Sequence, residues 1–211
     1  RYKFNNERDR DAYINDVTEP LEQYKLTELT NKKIDKFIVE ITCKEGMIIK
    51  NQKSKKNNEV YSFKEKNNEF YTIPSSTLKG LARGYFESLV NPEDDIIKVL
   101  FGSEDSKGKL KFQDIKIKKF KELKKHRICI NRFTGGAIKG AYLNEFLITW
   151  TEPVPWIFDF TNIENKELRK DAKLIILNMI KSLALGEIRI GSGSTIGYGK
   201  LDIKKIDVIL S

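Results

Sequence analysis

From Asp35 onward apolar residues alternate strictly, with Phe37, Val39, Ile41 and Cys43 on one side and Ile38, Glu40 and Thr42 on the other. A period of two with one strongly apolar side predicts a strand with a buried face. Residues 1–34, before it, are polar and weakly periodic and read as an arm or a peripheral helix. Residues 44–68, after it, lose the period and carry many Lys and Asn, so they read as a long insertion with a short strand at Glu59–Phe63. Phe70-Tyr71-Thr72-Ile73 is a short strand stopped by Pro74, and Ser75-Ser76-Thr77 offers hydroxyl caps for a helix. Leu78, Leu81, Ala82, Tyr85, Phe86 and Leu89 then recur at helical spacing. They predict an amphipathic helix over 76–90 whose opposite face carries Lys79, Arg83 and Glu87. A second short helix is predicted over 93–100, ending at Phe101-Gly102.

Leu110 and Phe112 alternate, but the phase slips before Ile115 and Ile117, which fits a bulge or an irregular edge. Strands are predicted at 127–132, 142–150 and Trp156–Phe160. The glycine-rich stretch Phe133–Gly140 forms a protruding turn between the first two. Leu168, Ala172, Ile175, Ile176, Met179 and Leu183 share one face of a helix over 165–185, closed by Gly186. Leu201 and Ile203 alternate in a last strand. With the small pieces set aside, the order is βαββαβ, an α+β, ferredoxin-like (RRM-like) core. The expected organisation is one such domain over 35–211, with insertions at 44–68 and 120–145, the latter including a projecting β-hairpin.

Charge changes this picture. The chain of 211 residues has a net charge of +9. From Lys109 to Arg127 nine cations stand against Asp114 and Glu122, and a second Lys/Asn-rich run lies at 50–58. One lysine run is more often a solvated face than a site; two in a basic chain point to a polyanion, since each phosphate neutralised releases counterions. With Cys43, Cys129 and His126 as the whole inventory of such ligands, a cysteine- and histidine-based zinc site is excluded. The two cysteines read as buried thiols of a reducing cytosol. No apolar run reaches the ~18 residues that span a bilayer, and no signal peptide is evident, so a cytoplasmic protein is expected. The chain starts at Arg1 without an initiator Met and is expected to lack some native N-terminal sequence.

Three segments carry candidate chemistry. In Ile73-Pro74-Ser75-Ser76-Thr77-Leu78-Lys79-Gly80-Leu81-Ala82-Arg83, a strand runs through hydroxyls into a helix start, where unpaired amides and the dipole favour a phosphate. Lys79 and Arg83 lie one turn apart, and Gly80 admits close approach of another chain; an ordinary capped helix with surface cations has the same pattern. Arg189-Ile190-Gly191-Ser192-Gly193-Ser194-Thr195-Ile196-Gly197-Tyr198-Gly199-Lys200 mixes glycines with hydroxyls and can present amides to phosphates, or be merely a turn. It is no Walker loop, because it lacks the Gly-Lys-Ser/Thr ending. Arg127-Ile128-Cys129-Ile130-Asn131-Arg132-Phe133-Thr134-Gly135-Gly136-Ala137 runs a strand into a projection. There Phe133, Ile138 or Tyr142 can wedge against bases while Arg132 holds a phosphate, unless the hairpin packs its aromatics on the core.

Together these segments resemble the RAMP superfamily, the Cas7-like subunits of type III CRISPR effector complexes. The first looks like that family's "IPGSSLKGxLR", the second its closing "GSGxxxGYGK/R", the third its thumb, "IDRxTGxA". Val99-Leu100-Phe101-Gly102 with Gly108-Lys109-Leu110-Lys111-Phe112 looks like its "LFG…GxLxF" link. The motifs keep the family's order across about 73–200. The resemblance implies a scaffold subunit that binds crRNA and target RNA beside other Cas subunits, with no membrane association. It assigns Ser76, Lys79 and Arg83, and Gly191, Ser192, Gly193 and Ser194, to the guide backbone. Arg132, Phe133 and Thr134, running on to Ala137, would be the thumb.

The chain departs from the family pattern in places. Ser75 replaces a usual Gly, and Asn131 replaces the Asp before the thumb Arg. Subunits that cut RNA place a metal-binding Asp after the first strand, whereas residues 44–72 contain no Asp and offer Glu45, Glu59, Glu65 and Glu69. The "LxIG" opening of that loop is unrecognisable in Lys44–Ile49. No cofactor is therefore expected. Three alternatives remain: a Mg²⁺-dependent target-RNA endoribonuclease using one of those Glu, a Cas6-like processing nuclease, and a generic RRM protein. The second usually needs a catalytic His, which His126, in a basic run without an acid partner, does not obviously supply. The third lacks its "GFGFV"-like run.

Overall fold

The computed structural model describes residues 34–49, 59–60, 70–90 and 95–210. The arm expected over 1–34, except Ile34, and most of the insertion over 44–68 lie outside the described residues. Strand β1 (Ile34–Met47) runs on past the predicted Cys43, and Met47, Ile48 and Ile49 after it are buried. The short β2 (Glu59–Val60) and β3 (Tyr71–Ile73) precede helices α1 (Ser75–Leu89) and α2 (Asp95–Phe101). Then come β4 (Lys111–Phe112), β5 (Ile115–Ile117), β6 (Lys121–Ile130), β7 (Ala137–Asp159), α3 (Lys166–Leu185) and β8 (Asp202–Leu210).

The main sheet runs β2-β7-β1-β8, with β4 and β6 also on β7; every pairing is antiparallel except β2 with β7. On one edge β7 takes β1 and then β2; on the other it takes β4 and β6. Over the described residues this is a mixed α/β protein with a mainly antiparallel sheet and three α-helices. Phe37, Val39, Ile41 and Cys43 of β1, with Trp156 and Phe158 opposite on β7, build the core together with Leu78, Ala82 and Phe86 of α1, Ile97 and Leu100 of α2, and Ile176, Met179 and Leu183 of α3.

Three local expectations are corrected. The phase slip after Phe112 is neither bulge nor irregular edge: β4 belongs to the main sheet, whereas β5 pairs with β3 in a second, two-stranded one. The strands expected at 142–150 and 156–160 are one strand, β7. Its Pro153 and Pro155 fall between Thr149, opposite Lys121 of β6, and Phe158, opposite Phe112 of β4. Pro155 lies opposite Glu40 of β1, while on the other edge no described strand pairs with β7 there, and an unpaired edge is where a residue without an N–H is tolerated. Helix α3 is buried all round over Ala172–Ile180, not on one face, and takes Lys173 and Asn178 inside. Burial holds the Lys173 ammonium below its usual range.

Candidate nucleic-acid interface

Strand β3, which leads into α1, is tied to the end of the sheet where β1 finishes. The Tyr71 hydroxyl donates to Glu122 Oε1 at 2.7 Å, and the Tyr71 ring meets Phe120 edge-on at 4.6 Å. Glu122 lies opposite Ile148 of β7, and Ile148 opposite Met47 of β1. The capping expected from Ser75, Ser76 and Thr77 is not what opens the helix. Pro74 stands at the N-cap with no side-chain cap of its own, and the Ser75 amide donates to Asp114 Oδ1 at 2.6 Å. Bonds from the Ser75 amide and hydroxyl hold the Asp114 carboxyl below its usual range. A carboxylate therefore already sits where the sequence suggested a phosphate. The outward face keeps the rest of the predicted set. Ser76 and Arg83 are exposed, Lys79 is half-buried, and Arg83 Nε pairs with Glu87 at 2.7 Å. Gly80 and Gly84 are exposed, with no atom within 4 Å of where a Cβ would stand. They leave a bare strip of helix beside the two cations.

The glycine-rich loop is folded tightly onto the end of β1. Ser192 donates to the Ile48 carbonyl at 2.8 Å and Gly199 to that of Gly46 at 2.9 Å, while Ile190 bonds Gly199 across the loop's neck. At Gly191 (φ +90°) and Gly199 (φ +78°) a Cβ would overlap the carbonyl oxygens of Ile48 and Ile190, so both approaches require glycine. Arg189 Nη1 donates to the Gly197 carbonyl and to Glu45 Oε2 at 3.4 Å, and Lys200 lies 3.9 Å from Glu45. Glu45, one of the four carboxylates considered for metal binding, thus faces two cations. The side chains of Glu59, Glu65 and Glu69 lie outside the described residues. Six of the twelve amides of Arg189–Lys200 donate to backbone carbonyls, four within the loop and those of Ser192 and Gly199 to Ile48 and Gly46. Among the described residues those of Gly191, Gly193, Ser194 and Thr195 have no acceptor, and Gly191, Ser194 and Thr195 are exposed.

Strands β6 and β7 form a hairpin that continues past β1. From the level of Met47 it extends over Leu123–Ile130, about 25 Å at the rise of a strand. Asn131 shapes its tip: its Oδ1 accepts from the amides of Phe133 and Thr134 at 2.8 and 3.3 Å, the service an Asp at this position would also perform. Arg132 and Thr134 are exposed and Phe133 is 99% exposed, so the tip aromatic does not pack on the core. Ile128, Ile130, Ile138 and Tyr142 are exposed as well. His126 stacks on Tyr142 at 5.6 Å and bonds Asn144. Cys129, expected to be buried, is exposed on this hairpin because β6 projects beyond the core. Cys43 is buried, which pushes its thiol up to about 11.

The structure therefore brings the loop and the base of the hairpin into contact and ties Tyr71, just ahead of α1, to the same end of the sheet. Arg132, Phe133 and Thr134 stand apart from both, at the far tip. The contact between loop and hairpin rests on residues the sequence reading did not single out. Tyr198 Oη donates to Glu145 Oε2 at 3.0 Å, Arg127 pairs with Glu145 Oε1 at 2.9 Å, and Lys125 lies 4.8 Å from the Tyr198 ring centre. The signal for Glu145 was there: an acid beside Asn144 among the apolar Leu143, Phe146 and Leu147.

An antiparallel sheet with helices packed on one face, and a basic hairpin running out beside a glycine-rich loop, defines the class of protein to compare. The family model described as RAMP superfamily matches residues 40–202. The chain belongs to this superfamily. No curated protein sequence is matched. Among solved structures, a chain in the cryo-EM structure of the type III-B Cmr-beta bound to cognate target RNA has a similar fold. Its TM-score is 0.60 at 18% identity, with 99% of this chain and 69% of that chain covered. No helix among the described residues is long and apolar enough to cross a membrane.

Proposed function

We propose that the protein is a Cas7-like scaffold subunit of a type III CRISPR effector complex, binding crRNA and target RNA beside other Cas subunits. One observation carries this reading: the open amides of Gly191, Gly193, Ser194 and Thr195 and the basic β6 strand meet at one end of the sheet, the end to which Tyr71, just ahead of α1, is tied through Glu122. Superfamily membership and the fold shared with a subunit of an RNA-bound complex support it. The strand order β8-β1-β7-β4, with α1 and α3 as the crossovers, supports the ferredoxin-like βαββαβ core over 35–211. In this reading Ser76, Lys79 and Arg83 and the segment Gly191, Ser192, Gly193 and Ser194 follow the guide backbone. Arg132, Phe133 and Thr134 at the hairpin tip act as the thumb.

Phosphate contacts release counterions, so the salt dependence of binding counts them. Replacing Lys79 and Arg83 together by Ala should weaken binding of single-stranded RNA evenly across sequences. The log–log salt slope should flatten by about 0.7 to 1.4, the lower end applying because Arg83 already has Glu87 as a partner. An unchanged slope removes α1 from the interface.

A further inference from the structure

The base of the hairpin and the glycine-rich loop share one buried carboxylate. The Glu145 side chain is 6% exposed, and its two oxygens are divided between elements: one takes the Tyr198 hydroxyl from the loop, the other Arg127 from β6. Lys125, directly opposite Glu145 in the β6–β7 register, adds its ammonium over the Tyr198 ring. Beneath them Tyr198 packs with Ile48 and Leu147 in a small apolar cluster separate from the main core. Burial first, and then Glu145, raises the Tyr198 hydroxyl above its ordinary range, which keeps it a donor. Beyond this point every residue of β6 is exposed, and a two-stranded ribbon is marginally stable in water by itself. Its direction is therefore set at the base, where removing either partner leaves a buried charge unsatisfied.

We infer that Glu145, Tyr198 and Arg127 are positioning residues that lock the hairpin base onto the glycine-rich loop, fixing the angle at which Phe133 meets an RNA strand lying on that loop. The lock itself is a property of the free chain; only the RNA part rests on the function proposed above. Cys129 supplies the probe, since it is exposed two residues beyond Arg127 whereas Cys43 is buried. A nitroxide attached to Cys129 reports hairpin motion by electron paramagnetic resonance without any RNA. Tyr198→Phe, which changes no charge, should sharpen the spectrum and lower affinity for single-stranded RNA by about threefold to tenfold. Arg127→Ala, at a side chain 44% exposed, should sharpen the spectrum too and serves should the first variant fail to fold. Unchanged spectra in both folded variants overturn the lock, whether or not RNA binds. Failure of the unsubstituted protein to bind RNA, with sharpened spectra in the variants, overturns the proposed function and leaves the lock in place.

Discussion

Asp114 and Gly80 illustrate two opposite ways in which one residue of α1's surroundings matters. Asp114 reaches the Ser75 amide from 39 residues away and replaces the local hydroxyl cap that the sequence implied. Losing such a cap costs about 1 kcal/mol, toward the lower end where solvent competes, as it does at this exposed site. Its folded-state carboxyl is held low, so its stabilisation is complete above the ordinary Asp value of about 3.9 and disappears as pH falls through the lower folded value. The gap in urea stability between the wild type and Asp114→Ala should accordingly be constant from pH 7 to 5 and close below about pH 4; a gap that persists undiminished in acid contradicts the ionised cap. Gly80 behaves in the reverse sense. It lies in a helix interior with open space around it, so Gly80→Ala should raise stability by about 0.5–1 kcal/mol. The added methyl would stand on the strip that the proposed function assigns to the guide backbone, so on that proposal RNA affinity should fall. Stability and binding moving together in this variant would place the RNA elsewhere.

Among the elements, those with a single buried face announced themselves. The alternation of Phe37 to Cys43 and the heptad-like recurrence from Leu78 to Leu89 correspond to β1 and α1 within a few residues. What the pattern could not carry were features decided by a distant partner. β4 and β5 are separate because one pairs with β7 and the other with β3, and β7 continues through two prolines at a stretch where no described strand pairs with its far edge. The full burial of α3 is likewise invisible in a helix whose sequence includes Lys173 and Asn178. The hairpin was legible as a projection from its glycines, yet its length, and the exposure of all ten residues of β6, follow only from the register with β7. Since its tip makes no core contact, deleting Gly135–Gly140 should leave the circular dichroism spectrum and thermal midpoint close to those of the intact chain while impairing assembly on RNA. Global unfolding of that variant would mean that the tip stabilises the core.

For the whole molecule, the sequence supplied three cation- or glycine-bearing segments but not their mutual placement. Sheet topology supplies the rest. Because β6 runs beside β7 in the same direction as β1 and continues where β1 stops, the hairpin and the loop bonded to Gly46 and Ile48 meet at one end, to which Tyr71, just ahead of α1, is also tied. The loop's hydrogen bonds leave the amides of Gly191, Gly193, Ser194 and Thr195 without acceptors among the described residues, fewer open amides than its composition suggested. The most direct test is photo-crosslinking of the protein to single-stranded RNA carrying photoreactive uridines, with the attached peptides identified by mass spectrometry. The account predicts crosslinks within residues 76–84, 191–195 and 125–133. Crosslinks confined to β8, or to α2 and the turn that follows it, with none in those three segments, would contradict it.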